Sequence, residues 1–313
     1  MVAFQIEKFK TLTGHNGAVY SCSLGSDTNT FYTSGNDGMI VEWKLDGTEN
    51  GKMIARVSNS VYSLIPIWEI NRLIVGHNYE GIHIIDLEKR TETGSLKLTD
   101  SAIFDIKKYN HYLFIATGNG EIIVVDLKSM DILKRVKISS ASVRSLEIVD
   151  KLLFAGCSDN SIRIFDMKNL KEKKAWEAHK NSVFALKLDP NGKFLFSGSR
   201  DAHLNVWDAG NGFSLKESIV AHMYTINSIE FNDTGSHFIT GSMDKTIKLW
   251  DTHQLKLLKV IDKERFEGHL SSVNKLVWSN YKNRVISCSD DRTISLWDIK
   301  LYKKGDLKIK SIL

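Results

Sequence analysis

The sequence predicts an all-β protein, a closed ring of seven four-stranded antiparallel sheets. Three observations carry that reading. A short pattern recurs in phase along nearly the whole chain. Between its copies lie short alternating segments rich in β-branched and aromatic residues, punctuated by Asp, Asn and Gly. The composition, 42% hydrophobic and 25% charged with only two prolines in 313 residues, is that of a folded chain with a sizeable core.

The repeat units follow one another without interruption. They read SGNDGMIVEWK (34–44), VGHNYEGIHIID (75–86), IATGNGEIIVVD (115–126), GCSDNSIRIFD (156–166), GSRDAHLNVWD (198–208), GSMDKTIKLWD (241–251) and CSDDRTISLWD (288–298). Their penultimate positions are Trp43, Ile85, Val125, Phe165, Trp207, Trp250 and Trp297, spaced by 42, 40, 40, 42, 43 and 47 residues. The fifth unit shows the content of one repeat: SVFALKLD, KFLFSGS, HLNVWD and SLKESIVAH are four strand-like segments, with DPNG (189–192) as a turn. A four-stranded sheet of this size cannot bury both faces alone, and seven stacked radially can. Residues 1–299 are therefore expected to form one domain, with blade units ending near the seven positions above, and 300–313 a basic tail.

These residues resemble the WD-repeat (tryptophan-aspartate repeat) β-propeller family over essentially the whole chain. Gly14-His15 and Gly268-His269 match the Gly-His of that family, with Ala178-His179 and Ala221-His222 as softened forms; Trp-Asp stands intact at 207–208, 250–251 and 297–298. Repeats two, three and four lack the His and the Trp. The resemblance implies a hydrogen-bonded chain from Trp indole to hydroxyl to His to turn Asp: Trp43, Thr33, His15 and Asp37; Trp207, Ser197, His179 and Asp201; Trp250, Thr240, His222 and Asp244; Trp297, Ser287, His269 and Asp291. Such a network joins the strands of a small sheet, provided that every buried polar group is paired. Ser, His and Asp also invite a catalytic-triad reading. Repetition argues against it, because an active site needs one nucleophile, one base and one oxyanion hole, whereas this constellation occurs four times in one phase.

Two segments compete to complete the seventh sheet: FQIEKFKTL (4–12), in phase with SLKESIV (214–220), and LKIKSIL (307–313), similar to LKLLKVI (255–261). The resemblance implies closure by the N-terminal strand. It also implies three positions per blade on one rim: the residues three and five after the His, and the residue before the turn Asp. The position five after the His, or its equivalent, reads Tyr20, Tyr62, Phe104, Arg144, Phe184, Asn227 and Asn274. Four aromatics among seven exceed what a 10% aromatic content supplies, and aromatics grouped with Arg resemble a binding hot spot. The competing reading is a plug across the mouth of the channel. The rim carries Arg144, Arg200 and Asp290 as its only charges, which suits a largely neutral peptide with apolar anchors better than nucleic acid or a phosphorylated segment. Trp68 and Trp278 fall at strand ends, where packing is expected.

The functional expectation is a non-catalytic protein-protein interaction scaffold, monomeric by itself, that binds a peptide segment of a partner on the aromatic part of the rim. Partner-binding candidates are Tyr20, Tyr62, Phe104, Arg144, Phe184, Arg200, Asn227 and Asn274. The alternatives are a small-ligand binder or enzyme using the central channel, for which no charged or metal-binding cluster is expected there, and nucleic-acid association through the C-terminal lysines. Lys300, Lys303, Lys304, Lys308 and Lys310 against Asp306 place +4 of the net +5 in the last fourteen residues; the body is nearly neutral and carries no basic stripe. No phosphate loop, dinucleotide fingerprint, HExxH motif or Cys/His cluster at zinc spacing occurs, so no cofactor or metal is expected. Cys22, Cys157 and Cys288 lie too far apart in sequence for a CxxC motif, which suits a reducing compartment. With no signal-peptide core and no apolar run of about 18 residues, the expected setting is cytoplasmic and free of the membrane.

Overall fold

The computed structural model of the chain describes residues 3–302. Twenty-eight strands form seven four-stranded antiparallel sheets. The innermost strands are Val19–Leu24, Val61–Ile67, Ile103–Tyr109, Val143–Val149, Val183–Leu188, Ile226–Phe231 and Val273–Ser279, one per blade, and each contacts its neighbours around a central channel. Blades 2, 3 and 4, whose repeats are the weakest in sequence, are as regular as the others. The middle strands explain why. Segments such as Tyr112–Thr117 and Leu152–Cys157 are buried almost throughout, and apolar clusters run across each blade boundary. Phe154, Ile162 and Ile164 of blade 4, for example, pack on Val183, Leu186, Leu195 and Trp207 of blade 5. Apolar stacking makes up for the missing Trp and His in these blades.

Every innermost strand carries a bulge at the same place. Val19 pairs with Gly35 and Ser21 with Ser34, leaving Tyr20 without a partner; the same skip falls at Tyr62, Phe104, Arg144, Phe184, Asn227 and Asn274. A bulge bends the strand and re-aims the extra side chain. Here it places seven side chains in one ring at the channel.

The ring closes as the resemblance implied. Ala3–Leu12 pairs antiparallel with Ile294–Tyr302 and becomes the outer strand of blade 7. Ile6 packs with Trp297 and Ile299, and Leu12 with Ile294 and Leu296. Arg284, almost fully buried, locks the same seam. Its guanidinium donates to Asp298 at 2.6 and 3.1 Å and to the carbonyl of Leu45 in blade 1, and it lies over the Phe9 ring. The competing segment 307–313 lies outside the described residues.

The two tryptophans read as packing residues part company. Trp278 is buried and donates to Asn283 at 2.7 Å. Trp68 overturns the expectation: it opens a single 3-10 turn after the innermost strand of blade 2 and is exposed.

Candidate rim and channel site

All four networks form. The Trp indole donates to the hydroxyl at 2.8 Å for Trp43–Thr33, Trp207–Ser197 and Trp297–Ser287 and 2.9 Å for Trp250–Thr240. Each hydroxyl sits 2.7–2.8 Å from His Nε2. An indole can only donate, so the hydroxyl accepts from Trp and donates to Nε2. The ring proton is left on Nδ1, which donates to Asp37, Asp201, Asp244 and Asp291 at 3.0, 3.2, 2.8 and 2.9 Å. Each carboxylate also accepts one backbone N–H from its own turn and one from the residue that follows the network His; Asp244 takes those of Thr246 and Met223. These bonds help hold Ala202, Lys245 and Arg292, the residues after three of the aspartates, in a left-handed conformation that glycine fills in blade 1 as Gly38.

Burial works against ionisation of Asp201, Asp244 and Asp291, but the hydrogen bonds from histidine and from the turn outweigh it and hold these carboxyls well below their usual range. Burial pushes His15 and His222 down, against their Asp partners. Thr33, Ser197, Thr240 and Ser287 have no accessible surface. A nucleophile has to meet its substrate, so these hydroxyls serve the sheet.

The rim residues do come together. The Tyr20 and Tyr62 rings lie 4.6 Å apart and the Tyr62 and Phe104 rings 5.5 Å apart. The Arg144 guanidinium lies over Phe104 at 4.1 Å and over Phe184 at 4.9 Å. This continuous arc runs through blades 1 to 5, half-buried, at a cavity of about 760 Å³. Burial, with Arg200 adding to it, lowers the Arg144 pKa against the pull of Tyr62; Nε donates to Ser158 at 3.0 Å. Neither Arg144 nor the exposed Arg200 forms an ion pair among the described residues. Burial and the neighbouring Tyr62 push the Tyr20 hydroxyl up to about 12, which keeps it neutral.

Asn227 and Asn274 occupy the same ring with different work. Asn227 donates to the Val273 carbonyl at 2.9 Å and to Ser272, and Asn274 donates to the Val19 carbonyl at 2.9 Å and to Asp290 at 2.8 Å. Both amides tie one blade to the next.

Deeper in the channel the structure corrects the expectation of an uncharged lining. Asp105, Lys107, Lys187, Glu230 and Lys275 all border the cavity, and Glu147 stands beside Lys107. Lys107 pairs with Glu147 at 3.3 Å and Lys187 with Glu230 at 2.9 Å, and Asp105 accepts the Leu146 N–H of the next blade. Burial would depress Lys107, but Asp105, Glu147 and Glu230 outweigh it and raise its pKa. For Lys187 the Glu230 carboxylate is the main cause of the rise. The charges alternate and compensate one another, and because they sit one or three residues beyond the bulge, the rim frame did not include them. Sequence reasoning also passed over exposed apolar side chains in loops and turns: Met223, Tyr224 and Leu270 just after the network histidines, and Tyr79 in the turn of blade 2. The first three carry a signal, since they follow His222 and His269 directly.

Comparison with known proteins agrees with this architecture. The family model described as "WD domain, G-beta repeat" matches residues 6–44, 170–208, 213–251 and 261–298. Those segments carry the four complete networks. The protein lethal(2)denticleless of Drosophila melanogaster is 27% identical over 65% of this chain and 28% of its own length, and a striatin homolog of Dictyostelium discoideum is 21% identical over 65% and 29%. The chain thus spans less than a third of these relatives. In fold it is similar to the WD40 β-propeller domain of Doa1, with a TM-score of 0.83 and 16% identity over 94% of this chain and 97% of that one. Among the described residues no helix is long and apolar enough to cross a membrane. With seven stacked sheets, four complete Trp–hydroxyl–His–Asp networks and the matched repeats, the chain belongs to the WD-repeat β-propeller family.

Proposed function

We propose that this propeller is a non-catalytic scaffold that binds a peptide segment of a partner protein on the aromatic arc of its rim. WD-repeat propellers are generally protein-interaction scaffolds and generally not enzymes. One observation carries the finer reading: Tyr20, Tyr62, Phe104, Arg144 and Phe184 form a continuous arc that borders a cavity of about 760 Å³. A plug would fill that space. Rings held against each other lose little side-chain entropy on binding, and Arg144, gripped by two rings with no carboxylate partner, offers its remaining N–H groups to a partner's carboxylate or carbonyl. Asn227 and Asn274 contribute to the rim chiefly by fixing its blades.

The test is affinity capture with mass spectrometry, comparing wild type with a Tyr62→Ala/Phe104→Ala variant, followed by titration of the recovered partner's segment. A partner retained equally by both proteins would move the binding surface elsewhere.

A further inference from the structure

We propose that the hairpin between the second and third strands of blade 2 binds one Zn²⁺ ion through His77 Nδ1, Glu80 Oε2 and His83 Nε2. His77 ends the strand Arg72–His77, Glu80 lies in the turn, and His83 is the third residue of Gly81–Asp86. His83 pairs with Val75. Side chains alternate along a strand, so His77 and His83 leave the same face as diagonal neighbours. His77 Nδ1 is 3.3 Å and His83 Nε2 3.6 Å from Glu80 Oε2, and the three donor atoms lie within 4.8 Å of one another. A tetrahedral Zn²⁺ with bonds of about 2.0–2.1 Å holds its donors roughly 3.3–3.4 Å apart. Small side-chain adjustments therefore close the site. Two imidazoles and one carboxylate suit Zn²⁺ rather than the hard cations, which take oxygen ligands, and leave a fourth position open.

Two further features point to a ligand. His77 is fully buried, yet its Nδ1 has no hydrogen-bond partner; the exposed Glu80 carboxylate, 3.3 Å away, is near enough to share an ion with it. Native structures rarely leave a buried nitrogen unpaired. On the other histidine, Glu92 Oε1 lies 2.9 Å from Nδ1. It takes the Nδ1 proton and so turns the Nε2 lone pair toward the site, as carboxylates behind metal-bound histidines do.

The far nitrogen of His77 lies 3.2 Å from Ser58 Oγ and 3.0 Å from the Asn59 N–H. Ligation through Nδ1 places the ring proton on Nε2, where Ser58 Oγ accepts it. The displaced Asn59 N–H belongs to an exposed residue and passes to water. Blade 2 has no His–Asp bond across its turn, and the ion supplies an equivalent tie between its strands.

The test uses the tag-free full chain, stripped with a chelator and titrated with Co²⁺ as a visible probe, then with Zn²⁺ in competition. Expected are one equivalent bound, the strong visible bands of tetrahedral Co²⁺ without a thiolate charge-transfer band, and a melting temperature raised by Zn²⁺. Glu80→Gln and His83→Gln should each weaken binding at least about tenfold, and Glu92→Gln, a positioning change, about tenfold. Glu80 is exposed, so its variant keeps the fold and decides the matter. Wild-type affinity in Glu80→Gln, less than one equivalent in wild type, or a thiolate band would each overturn the assignment.

Discussion

Replacing Asp244 by Ala removes one end of the blade 6 network, and the structure sets the cost. The carboxylate accepts from His222 Nδ1 at 2.8 Å, Met223 N at 3.1 Å, Thr246 N at 3.0 Å and Thr246 Oγ1 at 2.7 Å. Met223 is exposed and its N–H can turn to water, but His222 is buried and its Nδ1–H cannot. An orphaned buried donor costs about 1–3 kcal/mol. Thr246 Oγ1, 3.3 Å from Nδ1, recovers part of that, so about 2 kcal/mol is expected. The control is Asp251→Ala, which removes a carboxylate bonded to the Gln254 N–H in an exposed turn and should stay within about 0.5 kcal/mol. Urea unfolding at neutral pH reads both, and Asp244→Asn should recover part of the loss because its amide oxygen can still accept from Nδ1. Adding Thr246→Ala to Asp244→Ala should cost more than it does in wild type, a coupling that a double-mutant cycle isolates. Equal stability of the Asp244→Ala and Asp251→Ala proteins would refute the structural role of the network.

Other outcomes follow from the same geometry. His15 and His222 are depressed in the fold, so the unfolded chain takes up protons first; stability present above about pH 6.5 should be lost as pH falls through their folded values. Asp201, Asp244 and Asp291, also depressed, add stability that is present above about pH 3.9 and lost below it; a urea midpoint that stayed constant from about pH 7 to about pH 5 would contradict the first expectation, and one that stayed constant from about pH 5 to about pH 2 the second. Removing residues 1–10 should expose the edge of Ile294–Tyr302 and cause aggregation, whereas removing 306–313 should leave soluble yield and melting unchanged. Tyr62→Ala or Phe104→Ala should cost about 2 kcal/mol or more in partner affinity with little change in folding. Asn274→Ala should instead lower stability by about 1 kcal/mol, because it breaks the bond from blade 7 to the Val19 carbonyl; an affinity loss without a stability loss would reverse that division of roles.

The seven-fold repeat, the alternation of its strands and the four His, hydroxyl, Asp and Trp sets were legible in the sequence because each is a local pattern at fixed spacing. The sequence left two segments competing to close the ring; the resemblance favoured 4–12, and the pairing with Ile294–Tyr302 decided it. The rim positions could be numbered from the same phase, but their behaviour could not. Tyr20 and Asn274 occupy equivalent places, and only the neighbouring blade decides that one stacks on Tyr62 while the other donates to Val19. The same holds for Lys107 and Glu147, which lie in different repeats and pair across a blade boundary, and for Arg284, which reaches from blade 7 to Leu45 in blade 1. Trp68 was misjudged because periodicity reports a strand end and not whether the chain there turns outward. His77, Glu80 and His83 lie close in sequence yet match no spacing rule; their convergence depends on the hairpin register that sets His83 opposite Val75. The sequence by itself determined the repeat and its strands, since those depend on residues a few positions apart, and the resemblance those repeats carry implied the bonds made within one blade. Tertiary structure decided what meets across blades and at the channel, because that depends on the angle and distance at which neighbouring sheets stack, which no single repeat encodes.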